Sequence, residues 1–133
     1  MDLGDLRTEG TMLATLGMEF AVVTPDRVVM TMPVDERTMQ PAGLLHGGAS
    51  VALAETAASV GTMLHLDAQT QSAVGIEINA NHLRSARSGI VQAEATVLHK
   101  GRTIMVWEIR ITDEAHRLLC VSRCTVAIIE RRS

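Results

Sequence analysis

The sequence predicts an α+β domain in which one long helix lies against a curved antiparallel sheet of about six strands. Three observations carry that expectation. A single Ala-rich run fills residues 46–64, period-two apolar patterns occupy most of the remaining chain, and turn residues separate those patterns without a second long helical stretch between them. At 133 residues, 47% hydrophobic and 20% charged, the chain is expected to form one domain over residues 1–133. Such a domain buries roughly two thirds of its unfolded surface, and the composition is far from that of disordered chains.

Leu6, Met12, Leu13 and Leu16 give a weak helical pattern over residues 5–16, interrupted by Gly10. From Met18 to Val34 the chain turns apolar and β-branched, and Thr24-Pro25-Asp26-Arg27 cuts it in two, so a hairpin is predicted. Residues 35–45, with Pro41 and Gly43, have no period and read as a loop. The run from His46 to Leu64 favours helix through Ala and Leu. It would extend about 28 Å, and its small side chains on nearly every side suit a helix enclosed by other structure. Strands are predicted at 73–84, with Val74, Ile76, Ile78 and Ala80 on one face, and at 90–98, with Val91, Ala93, Ala95 and Val97 together. Two more follow at 103–112, aligning Met105, Trp107, Ile109 and Ile111, and at 118–129. Turn residues at Arg87-Ser88-Gly89, Lys100-Gly101-Arg102 and Asp113-Glu114 separate them. The predicted order is a hairpin, a central helix and a four-strand meander.

Composition removes several functions. With 12 Lys+Arg against 15 Asp+Glu and a net charge of −3, no basic footprint for a nucleic acid is present. Phe20 and Trp107 are the only aromatic residues apart from histidine, so stacking platforms for single strands are missing too. No segment approaches the ~20 apolar residues of a membrane span. The first residues, with Asp2, Asp5 and Glu9, show no basic and then apolar pattern, so no leader is expected. A cytoplasmic protein with no membrane partner is expected. Cys120 and Cys124 fall on one face of a strand about 13 Å apart, too far for a disulfide, and read as packed thiols. The five histidines are scattered without zinc spacing, so neither a metal nor a redox cofactor is expected.

The informative segment is Gln40-Pro41-Ala42-Gly43-Leu44-Leu45-His46-Gly47-Gly48, which ends the loop and opens the helix. A helix start leaves about four backbone N–H groups without intrahelical partners and carries roughly half a positive charge. Glycines there let a ligand approach the backbone closely. The same pair could simply permit a tight turn. Glu55 is the only acid between Glu36 and Asp67, and Val51, Ala52, Ala58 and Ser59 surround it at helical spacing. It reads either as a partly buried carboxylate that needs a purpose or as part of a solvated stripe. Eight residues separate Gly47 from Glu55, about 12 Å of helix rise, so no small reacting group can touch both within one chain. If both act on one carbonyl, they come from different copies across a two-fold interface.

With these residues in place, the segment from Gln40 to Gly48, the Ala-rich helix with Glu55, and Glu77-Ile78-Asn79-Ala80-Asn81-His82-Leu83-Arg84 together resemble the hot-dog-fold acyl-CoA thioesterases. The branch most similar is the one acting on 4-hydroxybenzoyl-CoA, 1,4-dihydroxy-2-naphthoyl-CoA and related thioesters. The resemblance runs from about Met18 to Ile129. It implies the Gly47 N–H as the donor that polarises the carbonyl, Glu55 as nucleophile or general base, and Gln40 and His46 as residues that orient the thioester and leaving thiolate. Ser59, one turn after Glu55, matches a hydroxyl that helps place water. His82, Arg84, Gly101 and Arg102 match regions that hold coenzyme A. The related phenylacetate-pathway branch has Asn in place of Gln40 and Asp in place of Glu55, which this chain does not.

His46 could instead cap the helix, His82 and Arg84 could be a solvated strand end, and Arg102 an ordinary turn charge. The expected function is hydrolysis of an acyl- or aryl-CoA thioester by a homodimer with shared sites, or by a tetramer built from it, with no cofactor beyond the coenzyme A of the substrate. A hot-dog hydroxyacyl-thioester dehydratase is one alternative, separated by whether free thiol appears. A non-catalytic acyl-CoA-binding module is another, separated by binding without turnover.

Overall fold

The computed structural model describes residues 3–131. A 3-10 turn at Leu3–Asp5 and a short helix α1 (Met12–Leu16) precede the strands β1 (Glu19–Thr24) and β2 (Arg27–Pro33). The long helix α2 (Gly47–Met63) follows, and then β3 (Gln71–His82), β4 (Ile90–Lys100), β5 (Ile104–Thr112) and β6 (Leu118–Glu130). The predicted helix over 5–16 is therefore two short pieces. Gly10 adopts a left-handed backbone at φ +74 and breaks it, and Gly17, at φ +73, ends the second piece.

The six strands form one antiparallel sheet in the order β1-β2-β4-β5-β6-β3. This corrects the predicted four-strand meander. Only β4, β5 and β6 run consecutively, while β3 pairs with β6 at the far edge and β2 pairs with β4. Residues 83–89 carry the chain back across the end of the sheet. Leu83 and Arg84 donate their N–H groups to Leu119 O, at 2.7 and 3.3 Å, Ala86 O accepts from Leu45 N–H at 2.8 Å, and Gly89 O accepts from Val34 N–H at 2.8 Å.

The strand faces are as predicted for β4 and β5, whose Val91, Ala93, Ala95, Met105, Trp107, Ile109 and Ile111 are buried. They differ in β3. Gly75 pairs with Val126 and Glu77 with Thr125, so Ile76 is an extra residue that forms a bulge. The bulge reverses the alternation. Ala73, Ile78 and Ala80 pack against the core, whereas Val74 and Ile76 are exposed.

Helix α2 lies on the inner face of the sheet. Leu53, Ala54, Ala57 and Ala58 are fully buried against Met30, Met32, Met105 and Trp107 of the core. Gly61 is the seat: a Cβ there would overlap the Trp107 ring, and the indole N–H donates to Thr62 Oγ1 at 2.9 Å. The two cysteines are free and buried, as expected of packed thiols. No helix among the described residues is long and apolar enough to cross a membrane.

Candidate functional site

The loop before α2 is built to deliver the helix start. Gln40 N–H donates to Leu44 O at 2.8 Å and Gln40 O accepts from Gly43 N–H at 2.9 Å, a tight turn that Gly43 allows with φ +82. The Gln40 side-chain oxygen accepts from Ala42 N–H, which leaves the two hydrogens of its amide nitrogen free to donate. His46 N–H donates to Thr38 O at 2.8 Å, anchoring the loop's exit.

His46 is the N-cap of α2. Its Nδ1 accepts from Gly48 N–H at 2.7 Å, so the ring carries its proton on Nε2 and presents that N–H outward. Ala49 and Ser50 donate their N–H groups to His46 O at 3.0 and 3.2 Å. These bonds occupy every donor of the first turn except one. The Gly47 N–H has no acceptor among the described residues, and it lies where the helix dipole favours negative charge.

Gly47 also lies directly beneath a second imidazole. A Cβ at this position would approach His82 Nε2 to 2.9 Å and Cε1 to 3.2 Å. Gln40, Gly47, Ser50, His82 and Arg84 line a cavity of about 360 Å³, closed on one side by the crossing segment at Ser85 and Ala86. The topology explains this grouping. Since β3 lies at the far edge, the chain must cross the sheet end to reach β4, and that crossing brings Arg84 to the helix start.

Glu55 stands two turns further along α2 and belongs to a different cavity, of about 400 Å³. Ala52, Thr56, Ser59 and Val60 share its helical side, and Leu6, Arg7, Met12 and Leu13 of the N-terminal segment form the opposite wall. The carboxylate is half-buried, with no hydrogen bond or ion pair among the described residues. It packs against β3 at Gly75, where a Cβ would overlap Oε2 and lie 3.3 Å from Cδ. Beneath it, burial pushes the Cys124 thiol up to about 12, with the carboxylates of Glu55 and Glu77 adding to the shift. That buried thiol is neutral at ordinary pH.

Gly101 and Arg102 occupy the β4–β5 turn, beside His99. The register sets His82 in one row with Cys120, Ile111 and Ala93, and Gly75 in another with Val126, Met105 and Lys100. The two rows are about 20 Å apart along the strands. One chain therefore groups Gln40, His46, Gly47, His82 and Arg84 at one end. Glu55 and Ser59 lie in the second cavity, and the turn with Gly101 and Arg102 is at the end of the sheet away from His82. Among the described residues no cluster of His, Cys, Asp and Glu has the makings of a metal site.

Residues 42–120 match the thioesterase superfamily. The chain belongs to that superfamily. This thioesterase is 51% identical over 121 residues to the 1,4-dihydroxy-2-naphthoyl-CoA hydrolase of Escherichia coli, covering 91% of this chain and 88% of the relative. Among solved structures it is similar to thioesterase HI1161 of Haemophilus influenzae, with 49% identity, a TM-score of 0.87 and coverage of 92% and 85% of the two chains. It is also similar to a variant of thioesterase PA1618 of Pseudomonas aeruginosa, with 42% identity, a TM-score of 0.90 and coverage of 92% and 88%. The expected hot-dog fold and thioester hydrolase class are thereby established. Three features of this thioesterase had no signal in sequence patterning: Gly75 behind Glu55, the His82 ring on Gly47, and the N-terminal wall of the Glu55 cavity. Each is a contact between segments far apart in the chain.

Proposed function

We propose that this thioesterase hydrolyses an acyl- or aryl-CoA thioester to the free acid and coenzyme A, at sites shared between two copies of the chain. The reading is carried by two groups on α2 that have no partner among the described residues, the Gly47 N–H and the Glu55 carboxylate, which open onto different cavities. They are separated by about 12 Å of rise, whereas a reacting carbonyl has to lie within about 3 Å of both the donor and the attacking oxygen. A second copy closes the gap. Two-fold symmetry sets each helix start opposite the partner's acid, and the open edge of β3 is a strand that a second sheet can extend. The assembly is at least a dimer, and pairing of dimers gives a tetramer.

In the reaction, the thioester oxygen accepts from Gly47 N–H while the Gln40 amide and the His46 Nε2–H orient the thioester and the leaving sulfur. Glu55 of the second copy then acts in one of two ways. It attacks the carbonyl carbon to give an anhydride that water cleaves, or it takes a proton from a water placed by Ser59, whose oxygen forms the new bond. In both routes the C–S bond breaks, the sulfur leaves as the coenzyme A thiolate and is protonated, and water supplies the oxygen of the acid. The contact with Gly47 supports a place for His82 at the thioester end of the ligand. Arg84, Gly101 and Arg102 hold the nucleotide and phosphates. The name of the Escherichia coli relative supports an aryl thioester as the acyl class.

Thiol release over a panel of aryl, short and long acyl-CoA esters tests the activity, with Glu55→Ala expected to lose about 10²–10⁴-fold in turnover. Mixing Glu55→Ala chains with Gln40→Ala chains tests the sharing. Random hybrids contain one intact site in each mixed dimer, so about a quarter of wild-type activity should return. Hybrids that form and stay inactive would overturn the shared site.

A further inference from the structure

Gly75 is a glycine whose backbone does not require one. Among the described glycines, Gly10, Gly17, Gly43 and Gly89 have positive φ, and Gly75 does not. The space where its side chain would stand is filled instead. The three heavy atoms nearest to a Cβ there are Oε2, Cδ and Cγ of Glu55, the last two at 3.3 and 3.7 Å. The bulge that follows at Ile76 lets Gly75 face the helix together with Ala73 while Ile78 and Ala80, beyond it, still pack inward.

A half-buried carboxylate with no hydrogen bond or ion pair among the described residues has packing to choose its rotamer. We infer that Gly75 is a positioning residue for Glu55: the missing side chain makes a slot in the edge strand that seats the carboxylate and sets where its oxygens lie. The inference rests on the proposed role of Glu55. A methyl group in the slot pushes the acid toward its own cavity, and misplacement by about 1 Å is enough to cost about 10²-fold in rate.

Four full-length chains test this: Gly75→Ala, Glu55→Ala, the double variant of these two, and Gly75→Ala combined with Glu55→Asp. Gly75→Ala should lower kcat about 10–100-fold with KM changed less than about threefold, and should raise the melting temperature less than it does in the Glu55→Ala background, since a strand alanine is otherwise favoured over glycine. In the Glu55→Ala background the same change should lower neither, because no carboxylate remains to collide with the methyl. Aspartate, one methylene shorter, should accept it as well, so Gly75→Ala with Glu55→Asp should match Glu55→Asp alone. An equal change in melting temperature by Gly75→Ala in both backgrounds, a double variant that fails to fold, or a kcat within twofold of wild type would overturn the inference. If the wild type turns over no CoA ester, the proposed function fails, and the melting temperatures alone decide whether Gly75 seats Glu55.

Discussion

A neutral imidazole has one acceptor nitrogen, and at His46 the Gly48 N–H occupies it. The cap and the proposed thioester contact therefore use opposite edges of one ring, and substitution can separate them. Asparagine caps helices well but cannot place a donor where Nε2 stands. His46→Asn should keep the melting temperature within about a degree and lower kcat/KM about tenfold, the worth of one hydrogen bond of about 1.4 kcal/mol. His46→Ala should lose the same activity and also about 1 kcal/mol of stability. Thermal unfolding and thiol release on the same samples check both. At this scale the sequence drew attention to Gly47 and Glu55 through their own segments, and to Gln40 and His46 through the motif shared with the family. An acid amid alanines and a histidine before two glycines need no distant partner to be noticed. Gly75 could not be noticed that way. Its significance lies entirely in a side chain 20 residues earlier.

At the scale of elements, α2 is held on the sheet by a fit between Gly61 and the Trp107 ring. Alanine in a helix interior is worth about 1 kcal/mol more than glycine, so propensity alone would make Gly61→Ala stabilising. The overlap with the indole is the larger effect, since overpacking costs about 1–3 kcal/mol. A net loss of stability is expected in denaturant unfolding. Combining it with Trp107→Phe, which removes the outer ring atoms, should give a clear coupling energy in the double-mutant cycle. Strand β3 shows where pattern reading reaches its end. Val74, Ile76, Ile78 and Ala80 alternate in the sequence as one face, yet the bulge at Ile76 puts the first two outside. An extra residue is invisible in a period-two pattern that has apolar residues on both sides of it.

For the whole molecule, the buried thiols set a limit at alkaline pH. Burial, reinforced by Glu55 and Glu77, holds Cys124 protonated up to about 12, against an ordinary value of 9.0, and burial raises Cys120 in the same direction. Below about pH 8 both thiols are neutral folded or unfolded, and their contribution to stability is complete. As pH rises from about 8 toward 12 the unfolded chain loses protons that the folded one keeps, so stability falls. Denaturant midpoints measured between pH 8 and 10.5 should decline, and the Cys120→Ala, Cys124→Ala double variant should flatten the decline.

Several things followed from the order of residues alone: the hairpin, the one long helix, the strand segments, and the separation of Gly47 from Glu55 that no single chain can bridge. All rest on local periodicity, turn chemistry and the fixed rise of a helix, which neighbours in sequence determine among themselves. Folding in three dimensions decided the rest. It set β3 at the edge beside β6 with His82 at its end against the helix start, sent residues 83–89 over the sheet end to bring Arg84 there too, and left at Gly75 the space that the Glu55 carboxylate fills. These depend on which surfaces pack together, and such contacts between distant segments leave no periodic trace in the chain.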